Sequence, residues 1–479
     1  MKGLKSFPYW LVILLSVTVL LRIPSLFGVY SYGDECIYLT LGQAAREGLT
    51  WYRDIHDNKP PLLYLLAMFS GNLFWFRTIL LAWSLTTIYL FAKLAKILFP
   101  DHDRAVKITM ITFAVLSSLP ILEGQTVNAE VFMVIFTIAG ILRILRGNFS
   151  NRAALGVGIL FSLGTLFKVP AATDFFGLCV FLLFFVPQNI KQFKTQIVRI
   201  FFLGLGFSVP ILLSFTWYAF QGAFKPYLIA GFLQNFGYLS TWKGSTLGLY
   251  IRTVLLLGSF VFLWLTRKRF SLNQNLIFLW FAFSLYGATL SARPYPHYLF
   301  QVLPAFCFLL GILFDKIKVF AKVLAVCLLI SVCFIYYFSF WHYSVLPYYR
   351  NFVLFALGHE SKEIYRENLG SGDNYPIADL INRNTLKTDK IFVWGEAAPC
   401  VYALSRRLPV GKYAATYHII DFDGYSETAS ALEKQNPRLI IDLNTEKGRF
   451  PRLSDLIDEK YYLFQRINRA EIFLLKTSK

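Results

Sequence analysis

Residues 30–64 concentrate side chains that could carry chemistry. Asp34-Glu35 is followed by Arg46, Glu47, Arg53, Asp54, His56, Asp57, Asn58 and Lys59, and then by Pro60-Pro61. Five of the eleven acidic residues before position 341 fall in this stretch. A carboxylate at a membrane surface can act as a general base, taking the proton of an attacking hydroxyl as the new bond forms. Low dielectric raises the proton affinity of such a group and strengthens its contacts. The plainer alternative is a solvated loop tied together by ordinary salt bridges.

Other candidates recur later in the chain. Glu123 and Glu130 flank a short polar segment, and Glu130 opens an otherwise apolar run. Lys168 lies within another apolar run, just before Pro170. Placing a lysine there costs roughly 2.5–3.5 kcal/mol on insertion scales, so an anion or an internal cavity is expected beside it. Lys243, Arg293 and His297 follow, the last two within Arg293-Pro294-Tyr295-Pro296-His297-Tyr298, where the prolines stiffen a turn. Taken singly, each cation also fits snorkelling or helix capping. Together the set offers a base for a hydroxyl, cations for an anionic leaving group, and access to lipid. Sugar transfer from a polyprenyl phosphate requires that combination.

The elements that must position these groups are mostly apolar. Of 479 residues, 56% are hydrophobic and only 16% are charged. That balance excludes an ordinary soluble enzyme and a disordered chain. About eleven transmembrane helices are expected, over 7–28, 75–98, 105–122, 130–146, 153–171, 174–188, 199–220, 246–266, 272–290, 298–314 and 319–340. The run 60–73 is short for a span and is read as a helix lying in the interface. With the N-terminus inside, the turns carrying Lys93–Lys107, Arg143–Arg152, Lys191–Arg199, Arg267-Lys268-Arg269 and Lys316–Lys322 all face the cytoplasm. The net charge of +19 is thus a topology signal and needs no nucleic acid. The loops 29–74, 123–129, 172–173, 221–245 and 291–297 lie outside, as does the C-terminus. The first apolar run lacks a cleavage site and reads as a retained span.

Beyond about residue 340 the composition becomes mixed. Helices are expected over 376–385, 399–407, 424–435 and 453–460, and strands over 390–395, 438–442 and in two closing segments. That alternation predicts a small extracytoplasmic α/β domain. The expected division is therefore a membrane domain, 1–340, and a soluble domain, 341–479. The six cysteines are too scattered for a disulfide framework or a metal site, and only Cys36 and Cys400 lie outside apolar runs. There is no CxxC, HExxH or GxGxxG. The sequon at Asn148 falls on the inner side and is discounted as a glycosylation site.

Read in order, these segments resemble the bacterial branch of the protein O-mannosyltransferase and lipid A aminoarabinose transferase superfamily. The matching stretches are Gly33-Asp34-Glu35-Cys36-Ile37-Tyr38 with Ala45-Arg46-Glu47-Gly48, and then Tyr52-Arg53-Asp54-Ile55-His56-Asp57-Asn58-Lys59-Pro60-Pro61-Leu62-Leu63-Tyr64. Glu130, Lys168-Val169-Pro170, Arg293 through Pro304, Val393-Trp394-Gly395 and Val401 through Arg407 continue the likeness. The resemblance implies a glycosyltransferase C-type fold and an inverting transferase. Such an enzyme moves a hexosyl or pentosyl group from a polyprenyl-phosphate carrier to a hydroxyl of a protein, lipid or glycan in the cell envelope. Protein O-glycosylation is one such outcome.

By position the resemblance makes Asp34 the catalytic carboxylate and Glu130 the second acid, with Glu35 assisting or orienting. Lys59 would face the carrier phosphate, with Arg293, His297 and Lys168 near it. Asp57, Arg53 and Lys243 complete the outer-loop candidates. No cofactor is required, and a divalent ion on the carboxylates is left open. The expected place is the cytoplasmic (inner) membrane. The tail has no β-trefoil, so no acceptor carries over from the eukaryotic mannosyltransferases. Two other classes compete: a lipid-linked-sugar transporter or flippase, and an extracytoplasmic binding scaffold. The first would place polar groups near mid-membrane in broken helices, whereas here the ionisable groups gather toward one face.

Overall fold

The computed structural model describes residues 8–147, 149–237, 247–291, 293–315, 336, 344–446 and 450–476. The chain divides into two compact units. The first comprises Met1–Ile23, Thr78–Trp217 and Phe232–Val345; the second comprises Pro24–Arg77, Tyr218–Gly231 and Leu346–Lys479. Composition alone set one boundary at 341. The contacts instead group the first polar loop with the tail, because its partners lie more than 300 positions away.

The first unit is helical. Each of the first ten expected apolar runs overlaps a helix: Tyr9–Leu26, Leu73–Leu98, Asp103–Leu116, Ala129–Leu145, Asn151–Phe167, Ala172–Phe184, Ile190–Phe220, Leu247–Thr266, Leu272–Thr289 and Leu303–Asp315. The eleventh run, 319–340, lies almost wholly outside the described residues. Among the described residues, four helices are long and apolar enough to cross a membrane: Tyr9–Leu26, Leu73–Leu98, Ile190–Phe220 and Leu247–Arg269. The chain is a membrane protein on that ground. Some runs stop short of their expected ends. After Leu116 the chain turns into a 3-10 segment, Pro120–Leu122, because proline supplies no amide for a continuing α-helix.

Small residues let these helices approach. A Cβ on Gly158 would collide with the Leu203 carbonyl, and one on Gly206 with the Leu155 carbonyl. The helices Asn151–Phe167 and Ile190–Phe220 therefore meet backbone to backbone, as small residues allow in membranes. Phe91, stacked on Phe113 at 4.1 Å and 4.6 Å from Phe308, fills a second contact. Ser271 and Gln274 form a capping box that starts Leu272–Thr289.

The second unit contains a four-stranded sheet, β1 (Phe392–Trp394), β2 (Leu439–Asp442), β3 (Tyr461–Ile467) and β4 (Ala470–Leu475), in the order β1-β2-β4-β3. β1 and β2 are parallel, and the other pairs are antiparallel. Val393 and Ile441 face one apolar cluster with Ile377, Val401 and Tyr402. Phe392, Trp394 and Ile440 face the opposite cluster with Leu432 and Leu453. Both faces are covered by helices, which explains why β1 and β2 read as continuous apolar runs. The expected helices and strands of the tail all appear within a few residues. The short helix Thr416–Asp421 was not anticipated, because its sequence TYHIID has no clear periodicity.

The first polar loop also belongs to this unit, with helices Gly33–Arg46 and Leu62–Ser70. They press together at Gly42, where a Cβ would lie 2.6 Å from the Ala67 carbonyl carbon. The run read as an interfacial helix over 60–73 is thus Leu62–Ser70. A disulfide joins Cys36 of the first of these helices to Cys400 of the tail helix Ala398–Ser405. Spacing gave no hint of it: the two cysteines are 364 positions apart.

Candidate functional site

Each unit holds its own cluster of ionisable groups. In the second unit, Asp34 opens the helix Gly33–Arg46, where an acid complements the amide end of the helix. Its carboxylate accepts a hydrogen bond from the Tyr38 hydroxyl at 2.9 Å, one turn along the same helix. Lys59 Nζ lies 3.4 Å from Asp34 Oδ2 and 3.9 Å from Asp57 Oδ2. The Asp34 and Lys59 side chains keep 24% and 17% of their surface exposed, so both can be reached by a ligand. Asp57 is fully buried.

The loop that carries Lys59 is built to hold it. Tyr52 adopts a left-handed backbone, at φ 72°, and its ring packs 5.1 Å from Tyr218 and 4.9 Å from Tyr227. Its hydroxyl donates to the Lys59 carbonyl at 2.8 Å. The Tyr64 hydroxyl lies 2.9 Å from both the Lys59 carbonyl and Asp57 Oδ2, and it accepts from the Lys59 amide at 3.1 Å. The Asn58 amide donates to Asp57 Oδ1. Burial pushes the Tyr52 and Tyr64 phenols far up, so both serve as neutral donors.

Two tail residues complete the cluster. His418 Nε2 stands 3.4 Å from Asp57 Oδ1, and the Tyr417 hydroxyl stands 3.4 Å from Asp34 Oδ1. The helix Thr416–Asp421 is held in place in part by the Thr416 hydroxyl, which accepts from the Gly395 amide at 2.9 Å. Sequence reasoning missed both residues. A Tyr-His pair in a charged tail carries no distinguishing signal.

Glu35, the neighbour of Asp34, points elsewhere. It is buried and held by Arg77 in a two-point pair, 2.9 Å from Nε and 2.5 Å from Nη2. Arg77 also donates to the Ser25 carbonyl, and a Cβ on Gly28 would overlap its guanidinium. Successive helical residues differ by about 100° around the axis, so one acid reaches the open cluster and the other the core. Arg53 is likewise engaged locally, with Asp54 at 2.8 Å and the Gln221 carbonyl at 2.8 Å.

His56 is buried against Tyr413, Phe422 and His418. Burial, with the charges of His418 and Lys412 adding to it, holds His56 well below the usual imidazole range. Burial also lowers His418, with the Asp57 charge opposing it. An unfolded histidine titrates near 6.5. Below that pH the unfolded chain takes up protons that the folded unit refuses, so stability falls as pH drops. The expected slope is up to about 1.4 kcal/mol per pH unit for each histidine. Thermal unfolding measured from pH 7.5 to 5.5 checks this. His56→Phe should flatten the dependence, and an unchanged slope would refute it.

In the first unit, Glu130 is buried at the start of Ala129–Leu145 and pairs with Lys168 Nζ. Lys168 occupies the break between Asn151–Phe167 and the 3-10 turn Val169–Ala171, and it lies 3.8 Å over the Tyr298 ring. His297 Nδ1 contacts Glu123, and its Nε2 is 3.8 Å from Glu130 Oε1. Glu123, Glu130, Lys168 and His297 therefore form one chain of ionisable contacts. Arg293 is half-buried in the turn before it, with its amide donating to Ser291 Oγ at 3.4 Å. Lys243 lies outside the described residues. A further acid, Asp174, is buried and receives hydrogen bonds from Ser284, Thr137 and Gln301. Among the described residues, no group of three or more His, Cys, Asp or Glu side chains is arranged to hold a metal ion.

No family model and no curated protein matches the sequence. Solved structures match its fold. The fold is similar to that of the lipid A aminoarabinose transferase ArnT from Cupriavidus metallidurans in the apo state, with a TM-score of 0.61 at 14% identity over 97% of each chain. ArnT from the same organism bound to undecaprenyl phosphate matches with a TM-score of 0.59, again at 14% identity over 97% of each chain. Over nearly its whole length the chain thus has the fold of ArnT, one of the transferases its motifs resemble.

Proposed function

We propose that the chain is an inverting glycosyltransferase that moves a sugar from a polyprenyl-phosphate carrier to an acceptor hydroxyl. The observation that carries this reading is the pairing of an accessible carboxylate, Asp34, with an accessible ammonium, Lys59, at 3.4 Å on a rigid loop. The shared fold supports it, since one of the matched structures is bound to undecaprenyl phosphate.

The chemistry follows from the pair. Lys59 Nζ receives the carrier phosphate as a point charge. Drawing Nζ toward the phosphate takes a cation away from Asp34, and a carboxylate without that neighbour becomes a stronger base. The acceptor hydroxyl then attacks the anomeric carbon while Asp34 takes its proton. The bond from that carbon to the phosphate oxygen breaks, and the polyprenyl phosphate leaves with the electron pair, its charge held by Lys59. Glu35 orients the helix that carries Asp34, since Arg77 occupies both its oxygens. In the first unit, Glu130 supplies the anion that a buried Lys168 demands. His297 and Arg293 remain candidates for the carrier headgroup.

We place the first loop and the tail on the outer side of the cytoplasmic membrane. A disulfide between Cys36 and Cys400 supports a shared oxidising compartment for both, and the cationic turns of the first unit support the opposite side as cytoplasmic. The shorter apolar helices, together with the four long ones, are read as a bundle of about eleven spans.

Two measurements test the function. Mass spectrometry of lipid-linked sugars and envelope glycans should show one polyprenyl-phosphate sugar accumulating, and one envelope sugar lost, when the chain is absent. Lys59→Ala should weaken binding of undecaprenyl phosphate by about tenfold or more, as expected for a lost charge-assisted contact. Identical glycans with and without the chain would reject the transferase reading. Unchanged affinity would reject the role of Lys59.

A further inference from the structure

We infer that Tyr417 and His418, at the start of the tail helix Thr416–Asp421, are positioning residues of the Asp34–Lys59 site, with separate tasks. His418 steadies Asp57 and thereby Lys59, whereas Tyr417 steadies Asp34. This inference rests on the reading of Asp34 as base and Lys59 as phosphate ligand.

The geometry separates the two tasks. Lys59 stands between two carboxylates, 3.4 Å from Asp34 and 3.9 Å from Asp57. An arriving phosphate adds more negative charge to that neighbourhood, so Asp57 must have its charge satisfied elsewhere if Lys59 is to turn to the phosphate. Asp57 is fully buried, and besides Lys59 it meets the Tyr64 hydroxyl, the Asn58 amide and His418 Nε2. His418 is itself buried, and its Nδ1 has no hydrogen-bond partner. A neutral imidazole there carries its one proton on Nε2, directed at Asp57 Oδ1. Rings of Tyr417, Phe422 and His56 hold the imidazole in that orientation.

Tyr417 faces the other carboxylate. Its hydroxyl lies 3.4 Å from Asp34 Oδ1, and Tyr38 takes Oδ2 at 2.9 Å. The two phenols thus occupy different oxygens of one carboxylate and fix its plane. Adjacent residues of a single tail helix reach the two acids on either side of Lys59. The disulfide at Cys36–Cys400 ties the helix bearing Asp34 to this same tail. The tail is therefore part of the transfer site in this reading, and more than a separate binding module.

The test uses the full chain in lipid nanodiscs and in cells that otherwise lack it. Undecaprenyl phosphate is the binding probe, and the envelope-glycan product, normalised to protein level, is the transfer readout. His418→Ala, which takes away the Nε2 contact 3.4 Å from the buried Asp57 carboxylate, should weaken probe binding about tenfold. His418→Gln, whose amide can donate where Nε2 did, should recover most of that loss. Tyr417→Phe should leave probe binding within about twofold and still cut product by about fivefold or more. A merely structural role would move both readouts together in both variants, and that result overturns the inference. So does finding neither readout changed. Asp34→Asn and Lys59→Ala run alongside. If Asp34→Asn loses product and Lys59→Ala loses binding as expected while the tail variants behave as wild type, the tail inference alone fails. If Asp34→Asn retains full product, the base assignment itself has failed.

Discussion

Asp34→Asn is expected to abolish transfer, with product formation falling by about 10²–10⁴-fold, the usual share of a general base. The substitution keeps the size of the side chain. The Tyr38 hydroxyl can still donate to the remaining oxygen, so the helix Gly33–Arg46 should fold as before. What is lost is the proton acceptor, together with one of the two negative charges around Lys59. Binding of undecaprenyl phosphate should therefore persist or tighten. That pairing, binding kept and transfer lost, distinguishes a missing base from a damaged site. Glu35→Gln provides the contrast. Glu35 sits in a buried pair with Arg77, and breaking such a pair costs about 3–5 kcal/mol of stability. Its effect should appear in thermal unfolding first and in transfer only as a consequence. Full transfer by the Asp34→Asn chain would remove the base from the mechanism.

Loss of the Cys36–Cys400 disulfide is the second large effect. The bond closes a loop of several hundred residues, and removing a native disulfide typically costs 2–5 kcal/mol, or about that here. The cost falls on the second unit, because both cysteines belong to it. The helix Gly33–Arg46 has another tie to the tail, Gln43 Nε2 donating to the Arg406 carbonyl at 3.0 Å. Cys36→Ser/Cys400→Ser should therefore fold with a lower Tm and lose transfer through misplacement of Asp34. Wild type in dithiothreitol should match the double variant, and the double variant should ignore the reductant. Cys179 and Cys307 are free thiols within the helical unit and should not substitute. Equal Tm values for wild type with and without reductant would contradict the prediction.

Different features were legible to different degrees. Among the described residues, the first ten expected apolar runs and the helix–strand order of the tail correspond to observed elements, because each is encoded within a window of one or two dozen residues. The candidate residues Asp34, Lys59, Glu130, Lys168 and His297 stood out because ionisable groups are costly in or beside apolar runs. Which of them pair with which did not stand out. Lys168 and Glu130 are 38 positions apart, His297 and Glu123 are 174, and Tyr417 and Asp34 are 383.

Asp34 and Glu35 show the limit most directly. They are adjacent acids of identical charge, and nothing local ranks one above the other. Only the packing around the helix sends Glu35 to Arg77 and leaves Asp34 open to Tyr38, Lys59 and Tyr417. The Cys36–Cys400 bond and the His418–Asp57 contact belong to the same class. From its sequence this chain is already a bundle of apolar helices with an α/β tail and an acidic first loop, since hydrophobic periodicity and charge placement act over short range. Which acid faces Lys59 and Tyr417, which is held by Arg77, and that the first loop and the tail form one unit follow from contacts closed across hundreds of residues.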